Sequence, residues 1–434
     1  MPCSTTPIRA LALLAIAAPA SNAAALDLIG YLPYYRINNT YLNNVLPGQL
    51  SMLDEVRYFG LSVDSNGGIV SMSGSLQSHK YNIAAIQGVI NSLPASSRPR
   101  LDVTLGGAEQ DATFTSVAAS ESKRTVLAQN VNALLNETGA DAVDVDWEHP
   151  DAGVQRSTQF PALLKRIKQE VGADRRVYAT VDPTIILSNS VLTGANAIDG
   201  ISLMTYDLGW WGNDPSDPNT GEHSPQEYIE DSVEAWTEAP GSPNDRPWVF
   251  GTWGNGSPAE KLGVGLPFYG RALTNQTAYT YSELVAGCAT TDGEYYQYAG
   301  QRVWSPSPEL AAERVEYAIE QGLQHLIFWE LGQDLPTTHS ASLLRAAYET
   351  REALTGLPGD YNSDGFVDAA DYTIWRDGSS PDSSPAGYDL WASGYGATVT
   401  NLGSIRSAES VPEPSSSVLL LFMCIRGASR SCRY

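Results

Sequence analysis

Short apolar and β-branched runs recur along the chain, separated by longer stretches with the apolar spacing of a helix. Eight runs have the length and composition of strands, namely LDLIGY from Leu26, VRYFGLSV from Val56, LDVTLGG from Leu101, AVDVDWE from Ala142, VYATV from Val177, ISLMTYD from Ile201, LGVGLPFYG from Leu262 and LIFWEL from Leu326. Helices are predicted at Asn82 to Ser92, Ser120 to Glu137, Ser157 to Val171, Gln226 to Thr237, Pro308 to Gln321 and Ala341 to Leu354. Strands that alternate with helices pair in parallel, so this pattern predicts an α/β protein with a closed (β/α)8 TIM barrel.

Both ends of the chain depart from this alternation. Arg9 precedes a short apolar run, and Ser21-Asn22-Ala23 fits a cleavage site, which together are typical of a secretory signal peptide. A first buried helix is the alternative, but the run is short, uncapped and followed directly by a strand-like segment. The predicted organisation is a signal peptide at 1–24, the barrel at 25–356, a small module at 357–397 and a Ser-rich linker with a tail at 398–434. We therefore expect a secreted protein, either extracellular or associated with the cell surface.

Composition narrows the possible partners. The 434 residues include 26 basic and 49 acidic side chains, a formal net charge of −23, and no basic stripe, so binding to nucleic acid is not expected. A neutral polysaccharide is compatible with this charge, because sugars are bound by hydrogen bonds and aromatic stacking. Cys288 is the one cysteine in the body of the chain and the five histidines lack metal-ligand spacing, so neither a disulfide framework nor a zinc site is expected. Catalysis is expected to need no cofactor.

The run DAVDVDWE carries three acidic residues on one face of a predicted strand. Side chains alternate between faces, so Asp144, Asp146 and Glu148 share one face and the apolar residues between them share the other. The outer face of a barrel strand packs against helices, which places the carboxylates inside the barrel, about 6.6 Å apart. Three negative charges cannot all stay ionised there, so at least one proton is held. Glu148 lies at the C-terminal mouth and is the predicted general acid, with Asp146 and Asp144 sharing the proton beneath it.

Two alternative roles remain open for these carboxylates. They could form a buried acidic ladder satisfied by hydrogen bonds of the barrel, or a divalent metal site built from the same side chains. No histidine ligand accompanies them, and acids in line at one strand end are typical of a strongly perturbed site. A catalytic acid is therefore favoured.

The run DAVDVDWEHP resembles the DGxDxDWEYP signature of glycoside hydrolase family 18, the chitinases and related endo-N-acetylglucosaminidases. Other strand ends are also similar to this family: TLGG at Thr104 to Gly107, MTYD at Met204 to Asp207, KLGVGLPFYGR on the seventh predicted strand and FWELGQD on the eighth. The resemblance covers the chain from about Leu26 to Leu354. It implies the same barrel fold and a chitinase-like glycosidase.

The resemblance implies a retaining mechanism in which the substrate supplies the nucleophile. The 2-acetamido oxygen attacks the anomeric carbon while Glu148 protonates the departing oxygen, and Asp146 orients the acetamide N–H. Tyr206 is implied to donate a hydrogen bond to the acetamide oxygen, with Asp207 beside it, and Trp329 to form the apolar floor under the sugar. Further predicted substrate-binding residues are Tyr31, Trp210, Trp211, Met204 and Tyr269. Ordinary packing is the alternative for each of the aromatic residues.

Two positions depart from the family signature, and one connection is short. Ala142 stands where the family has glycine, and His149 where it has tyrosine; the second change alters the surroundings of the acid, but neither removes a catalytic group. The segment between the seventh and eighth strands is expected to be too short for the inserted α+β subdomain that walls the cleft of many processive chitinases. A shallower groove and endo-acting cleavage are therefore expected.

The C-terminal module carries a candidate calcium loop with the spacing DxNxDGxxDxxD, which alternates oxygen ligands along a tight turn. The predicted Ca²⁺ ligands are Asp360, Asn362, Asp364, Phe366 through its backbone carbonyl, Asp368 and Asp371. With the helix predicted in AADYTIWRDG, the unit resembles a dockerin repeat, which implies a cohesin-like partner. The second half, GYDLWASGYG, has no second loop, so a structural appendage or a solvated acidic turn is the alternative.

The final segment, VPEPSSSVLLLFMCIRGASR, resembles a PEP-CTERM sorting tail, with a Pro-Glu-Pro motif, an apolar run and basic residues. The apolar run is too short to span a bilayer, so no stable membrane span is expected. A disordered tail is the alternative.

The leading function is endo-acting hydrolysis of β-1,4-linked N-acetylglucosamine polymers, with chitin as the partner. The nearest alternative is cleavage of peptidoglycan or of N-glycan cores by the same chemistry. A different class is a chitin-binding lectin on an inactive barrel, but such proteins typically lose the acid, whereas this chain retains Glu148 and both aspartates beneath it.

Overall fold

The protein's computed structural model describes residues 26–108, 110–208, 221–240, 242, 255–287, 290–357, 359–362, 366–378, 380 and 384–398. The predicted signal peptide and the Pro-Glu-Pro tail lie outside these residues. The chain separates into two compact units that divide between Leu354 and Thr355.

The strands are β1 (Asp27–Pro33), β2 (Glu55–Val63), β3 (Ile69–Ser71), β4 (Arg100–Gly106), β5 (Ala142–Asp146), β6 (Arg176–Val181), β7 (Gly200–Leu203), β8 (Leu262–Pro267), β9 (Tyr269–Ala272), β10 (Ala278–Thr280), β11 (Thr290–Asp292), β12 (Tyr295–Tyr298), β13 (Gln301–Trp304) and β14 (His325–Trp329). Eight of them pair in parallel in the order β1, β2, β4, β5, β6, β7, β8 and β14, and β14 pairs with β1 to close a barrel. These are the eight runs identified from the sequence, so the (β/α)8 prediction is confirmed. β3 adds an antiparallel edge to β2.

The helices are α1 (Asn39–Asn44), α2 (Leu46–Leu50), α3 (Leu76–Ser92), α4 (Asp111–Ala118), α5 (Glu121–Thr138), α6 (Phe160–Val171), α7 (Gln226–Thr237), α8 (Tyr281–Ala286), α9 (Pro308–Glu320), α10 (Leu343–Thr355), α11 (Ala369–Arg376) and α12 (Pro385–Gly394). Short 3₁₀ turns lie at Tyr34–Arg36, Ala95–Ser97, Asn189–Val191, Ala259–Lys261 and Leu331–Gln333. All six helices predicted from the sequence are present; α7 has the predicted ends and the other five are shifted at one or both ends. α3 begins at Leu76 rather than Asn82, because the Ser75 side chain caps the backbone N–H of Ser78. α6 begins at Phe160 because Gln155–Gln159 form a wider π-type turn before it.

The connection between β8 and β14 holds more structure than the sequence-based expectation allowed. It folds as a five-stranded antiparallel sheet in the order β10, β9, β13, β12 and β11, with α8 beside it. Tight turns make this possible, since Gly293 and the pair Ala299-Gly300 adopt φ of 56°, 49° and 77°, the positive values that two-residue hairpins use. The expectation of a connection too short for an α+β unit is therefore wrong, and the shallower groove inferred from it loses its basis.

The two faces of β5 have different surroundings. Trp147, just after the strand, is fully buried outside the barrel, where its ring stacks on Phe114 of α4 at 5.6 Å and contacts Phe160 of α6 at 4.9 Å. Asp144 and Asp146 have the opposite parity and are buried inside the barrel. Burial of the apolar face against helices therefore turns the acidic face inward.

The C-terminal unit has a small apolar core of its own. Helices α11 and α12 pack around Leu357, Val367, Trp391 and Ala397. A bridge between the backbones of Phe366 and Thr398 ties the two ends of this unit together.

Candidate active site

A cavity of about 580 Å³ opens at the C-terminal end of the barrel. Its lining comes from the ends of β1, β2, β5, β6, β7 and β14, from β9, and from residues next to β3 and β4. The lining residues are Tyr31, Phe59, Met72, Ala108, Asp146, Glu148, His149, Thr180, Asp182, Met204, Tyr206, Asp207, Tyr269 and Trp329. Catalytic residues of barrel enzymes lie at this end, so this cavity is the candidate active site.

Asp144 is the deepest of the three acids and is fully hydrogen-bonded. Its carboxylate accepts hydrogen bonds from the Tyr31 hydroxyl at 2.8 Å, the Thr180 hydroxyl at 2.8 Å and the Thr104 hydroxyl at 3.1 Å. Its side chain is completely buried. Three donors on one carboxylate fix its orientation beneath the two acids nearer the mouth.

Asp146 and Glu148 both favour the protonated form. Burial, together with the charges of Glu148 and Asp144, holds the pKa of Asp146 well above its usual range. Burial also raises the pKa of Glu148, and His149 opposes that rise while Asp111 adds to it. Both shifts favour the retention of a proton close to the cavity, where a general acid needs it.

The loop after β4 approaches the acids because it is built of glycine. Gly106 and Gly107 have φ of 121° and 111°, and the Gly107 N–H donates to the Asp146 carbonyl at 2.9 Å. A Cβ at Gly106 would overlap the same carbonyl oxygen. The TLGG motif therefore allows the backbones of β4 and β5 to close around the site.

Arg57 is a buried cation that the sequence reasoning missed. It projects from β2, and its guanidinium donates to the Ser202 hydroxyl at 2.8 Å, the Tyr31 hydroxyl at 3.1 Å and Glu55 at 3.1 Å. Its Nη1 also lies 3.8 Å from Asp144 Oδ1. The sequence did contain a signal for this role, because Arg57 is a charged residue within the apolar strand-like run VRYFGLSV. A charge buried in a barrel needs polar or charged partners.

Glu55 and Asp102, two further acids beside Arg57, have pKa values displaced in opposite directions. Burial alone would raise the pKa of Glu55, but the neighbouring Asp102 carboxyl group and the charges of Arg57 and Arg100 bring it to about 2. Burial and the charge of Glu55 hold the pKa of Asp102 well above its usual range. These shifts favour a negative charge on Glu55 and a proton on Asp102, with Arg57 as the counter-ion of Glu55.

A separate apolar cluster inside the barrel mouth forms the wall of the cavity. Tyr206, Tyr31, Phe59, Ile29 and Ile327 are its buried members, and Met204 and Trp329 pack against them. The Trp329 ring lies 5.1 Å from Phe59 and 5.4 Å from Tyr31. Trp329, Tyr206 and Met204 are thus brought together around one side of the cavity, whereas the Tyr31 hydroxyl donates a hydrogen bond to Asp144.

Asp207 is held by residues from the inserted sheet. It accepts hydrogen bonds from the Tyr269 hydroxyl at 2.7 Å and from Arg271 Nη2 at 2.7 Å, and Arg271 Nε contacts its other oxygen. Its φ of 61° lies in the left-handed region, which Asp tolerates better than most residues. Tyr269 and Asp207 both line the cavity, so the inserted sheet fixes one wall of the site.

His223 is buried next to Asp207 and accepts a hydrogen bond from its backbone N–H. Burial lowers the pKa of His223, and the neutral ring fits its contacts, since Nε2 donates to the Tyr269 carbonyl at 3.2 Å while Nδ1 accepts from the Asp207 backbone N–H at 3.3 Å. Sequence reasoning missed His223 and Arg271, although Arg271 belongs to the KLGVGLPFYGR motif. The predicted residues Trp210 and Trp211 lie outside the described residues.

The candidate calcium loop is described in part, because Asp364 lies outside the described residues. Asp371 is fully buried, and its carboxylate accepts from the backbone N–H groups of Tyr361 at 2.7 Å, Asn362 at 3.1 Å and Asp368 at 2.8 Å. Asp368 also caps the start of α11. In the described part of the chain, no three His, Cys, Asp or Glu side chains are grouped as a metal site.

No helix within the described ranges is long and apolar enough to cross a membrane.

A row of inward acids beneath a cavity with aromatic walls, at the mouth of a (β/α)8 barrel, fits a glycosidase. The sequence model of the glycosyl hydrolases family 18 matches residues 28–334, and the chain belongs to this family.

Known relatives agree with this assignment. The chain is 24% identical to Endochitinase 1 of Metarhizium anisopliae over 353 residues, which are 69% of this chain and 80% of that protein. A class V chitinase from Nicotiana tobaccum in complex with NAG4 superimposes with a TM-score of 0.59 at 17% identity, over 75% of this chain and 99% of the other. A chitinase-like agglutinin from Robinia pseudoacacia superimposes with a TM-score of 0.55 at 18% identity, over 74% and 99%. These two structures show the fold alone.

Proposed function

We propose that the protein is a secreted, endo-acting hydrolase of β-1,4-linked N-acetylglucosamine polymers, principally chitin, which works by a retaining, substrate-assisted mechanism. The observation that carries the proposal is the row of acids that ends in Glu148 at the cavity, with Asp146 buried directly beneath it. The class V chitinase with the same fold holds NAG4, which supports a substrate of the same chemical class.

Glu148 is the proposed general acid and base. In the first step the acetamido oxygen of the bound sugar attacks its own anomeric carbon, the glycosidic C–O bond breaks, and the Glu148 proton passes to the departing oxygen. In the second step water attacks the anomeric carbon, Glu148 accepts a proton from that water, and the acetamido group is released. The raised pKa of Glu148, caused mainly by burial, keeps the proton available at a higher pH than an exposed glutamate would allow.

Asp146 and Tyr206 are the proposed partners of the acetamido group. Asp146 Oδ1 is buried without a hydrogen-bond partner in the described part of the chain, and a substrate N–H would satisfy it. Tyr206 lines the same cavity and is proposed to donate its hydroxyl to the acetamide oxygen. Asp144 is proposed to exchange the proton with Asp146, and Trp329, Met204 and Tyr269 to contact the sugar.

A substrate without the acetamido group should be a poor substrate. Chitin oligosaccharides are expected to be cleaved at least about 10³-fold faster than cellulose oligosaccharides of equal length, because cellulose lacks the intramolecular nucleophile. Chromatography of timed digests measures both rates, and ¹H NMR of the first product should show the β-anomer. Rapid hydrolysis of cellulose oligosaccharides would contradict the substrate-assisted mechanism.

The identity of the polymer that the enzyme cleaves is determined by comparing substrates. Product analysis on chitin oligosaccharides, peptidoglycan and glycoprotein N-glycans distinguishes the leading proposal from its two nearest alternatives. The endo mode of cleavage is now supported by the likeness to a protein named an endochitinase. Cleavage of long oligosaccharides at internal bonds is the result expected for this mode. Tight binding of chitin without any turnover would instead favour the lectin alternative.

Export and the C-terminal module are separate parts of the proposal. The basic and apolar pattern of residues 1–24 supports secretion, and the Pro-Glu-Pro tail supports sorting to the cell surface. The module at 357–397 is proposed to bind Ca²⁺ and a cohesin-like partner. Its helices α11 and α12 pack around a small apolar core. The Asp371 carboxylate accepts hydrogen bonds from the backbone N–H groups of Tyr361 and Asp368 in the loop.

Calcium should order this loop. The proposed oxygen ligands form a donor set that suits Ca²⁺, namely Asp360, Asn362, Asp364, the Phe366 carbonyl, Asp368 and Asp371. Adding Ca²⁺ to full-length protein treated with chelator is expected to slow amide hydrogen exchange in residues 359–376. Mg²⁺ at the same concentration should have less effect, and Asp360→Ala should abolish the Ca²⁺ response. Equal exchange with and without Ca²⁺ would contradict the calcium site.

A further inference from the structure

His149 follows the acid directly in the chain and is fixed beside it. Its Nδ1 lies 4.0 Å from Glu148 Oε2 and 3.7 Å from Asp111 Oδ2. Its backbone N–H donates to Asp111 Oδ1 at 3.2 Å, so Asp111 at the start of α4 holds the segment in place. The His149 side chain is 59% exposed and that of Glu148 is 21% exposed, so both groups exchange protons with solvent.

The groups that face Glu148 are otherwise acidic. Asp146 lies before it on the same segment, Asp111 belongs to α4, Asp182 follows β6 and Asp207 follows β7. Among the described residues that line the cavity, His149 is the one whose side chain can carry a positive charge. Protonation of its ring is therefore a large change in the field at the acid.

We propose that His149 is a positioning residue that shares one proton with Glu148 and thereby sets the fraction of enzyme in which the acid is ready to donate. The proposal rests on the role assigned to Glu148 in the proposed function. In one form the carboxyl group holds the proton and the imidazole is neutral. In the other form the proton has moved through solvent to the imidazole, which leaves a carboxylate beside an imidazolium. Only the first form can protonate a leaving oxygen.

The direction of the effect follows from charge. An imidazolium stabilises the carboxylate form of Glu148, while Asp111 stabilises the imidazolium. The histidine therefore withdraws the proton from the acid and moves the alkaline limb of kcat/KM to lower pH than a neutral side chain would. Because the ring is more than half exposed, salt should weaken the effect.

A charge series at position 149 tests this proposal. The alkaline limb of kcat/KM on a chitin oligosaccharide should fall at lowest pH in His149→Lys, at intermediate pH in the wild type, and at highest pH in His149→Gln and His149→Tyr. Neighbouring members of the series should differ by about 0.5 to 1 pH unit at low salt. The differences should shrink at a salt concentration of about 1 M, where the screening length is only ~3 Å. His339→Gln removes an exposed histidine that does not line the cavity and should leave the limb unchanged.

A second measurement does not depend on turnover. The titration of the His149 imidazole, followed by NMR without substrate, should move to lower pH in Glu148→Gln, because the carboxylate that stabilises the imidazolium is gone. This result stands even where the natural polymer differs from chitin, which separates a failure of this proposal from a failure of the proposed function. Superimposable alkaline limbs across the charge series, or a His149 titration that Glu148→Gln leaves unchanged, would overturn the proposal. An equal loss of rate at every pH, with no ordering by charge, would also overturn it.

Discussion

Replacement of the acid by its amide, Glu148→Gln, is expected to lower kcat on chitin oligosaccharides about 10²- to 10⁴-fold. Glutamine keeps the size of the side chain but has no acidic proton to give to the departing oxygen. KM should change little, because the proposed contacts with the sugar come mainly from the aromatic wall around Tyr206 and Trp329 rather than from Glu148. Steady-state kinetics with purified wild type and variant measure both parameters.

Substrates with different leaving groups show whether Glu148→Gln loses activity because it cannot protonate the departing oxygen. An aryl glycoside with a good leaving group needs little help from an acid, so Glu148→Gln should lose much less activity on it than on an oligosaccharide. Glu137→Gln makes the same chemical change on the exposed face of α5 and should keep full activity. Full turnover of oligosaccharides by Glu148→Gln, or equal losses on both substrates, would show that Glu148 is not the acid.

Removal of the buried cation, Arg57→Met, is expected to lower the free energy of unfolding by about 3–5 kcal/mol. The Arg57 side chain is fully buried, donates to Glu55 at 3.1 Å and lies 3.8 Å from Asp144. Without it, Glu55 keeps only the part-exposed Arg100 as a cationic partner among the described residues, at 3.3 Å, and the buried Asp144 loses its neighbouring positive charge. Urea unfolding followed by circular dichroism measures the loss, provided that the slope with denaturant is unchanged.

Two companion variants show whether burial of the charge is the cause. Lys80→Met removes a cation from the surface pair with Glu137, where 20% of the lysine and 57% of the glutamate side chain are exposed, and should cost less than about 1 kcal/mol. Adding Glu55→Gln to Arg57→Met should recover part of the stability, since it neutralises the nearest carboxylate. A loss for Arg57→Met as small as that for Lys80→Met would contradict the structural role given to Arg57.

The barrel and the row of acids were accessible from the sequence because both depend on local periodicity. Eight strand-like runs between helical stretches leave few arrangements besides a closed parallel barrel. Along β5, alternation by itself assigns Asp144 and Asp146 to the face opposite Trp147, and the burial of Trp147 between Phe114 and Phe160 decides which face is outside. Side-chain parity is a property of the strand and needs no knowledge of its neighbours.

The inserted sheet was missed for a different reason. Its strands are only three or four residues long, so periodicity over such short runs is weak. The sequence signals for these hairpins were Asp292-Gly293 and Ala299-Gly300, because dipeptides that end in glycine are common in tight turns between strands. Reasoning from segment length alone underestimated how much sheet fits between β8 and β14.

The sequence by itself determined the fold class, the position of Glu148 and the face that its acidic neighbours share, because each depends on spacing along one segment. Only the tertiary structure decided which side chains surround these acids and thereby influence their charge. Arg57, Thr180, Arg271 and Asp111 come from elements far apart in the chain, and their contacts with the acids or with His149 arise when the barrel closes. Charge interactions depend on distance in space, and a linear sequence does not contain that distance.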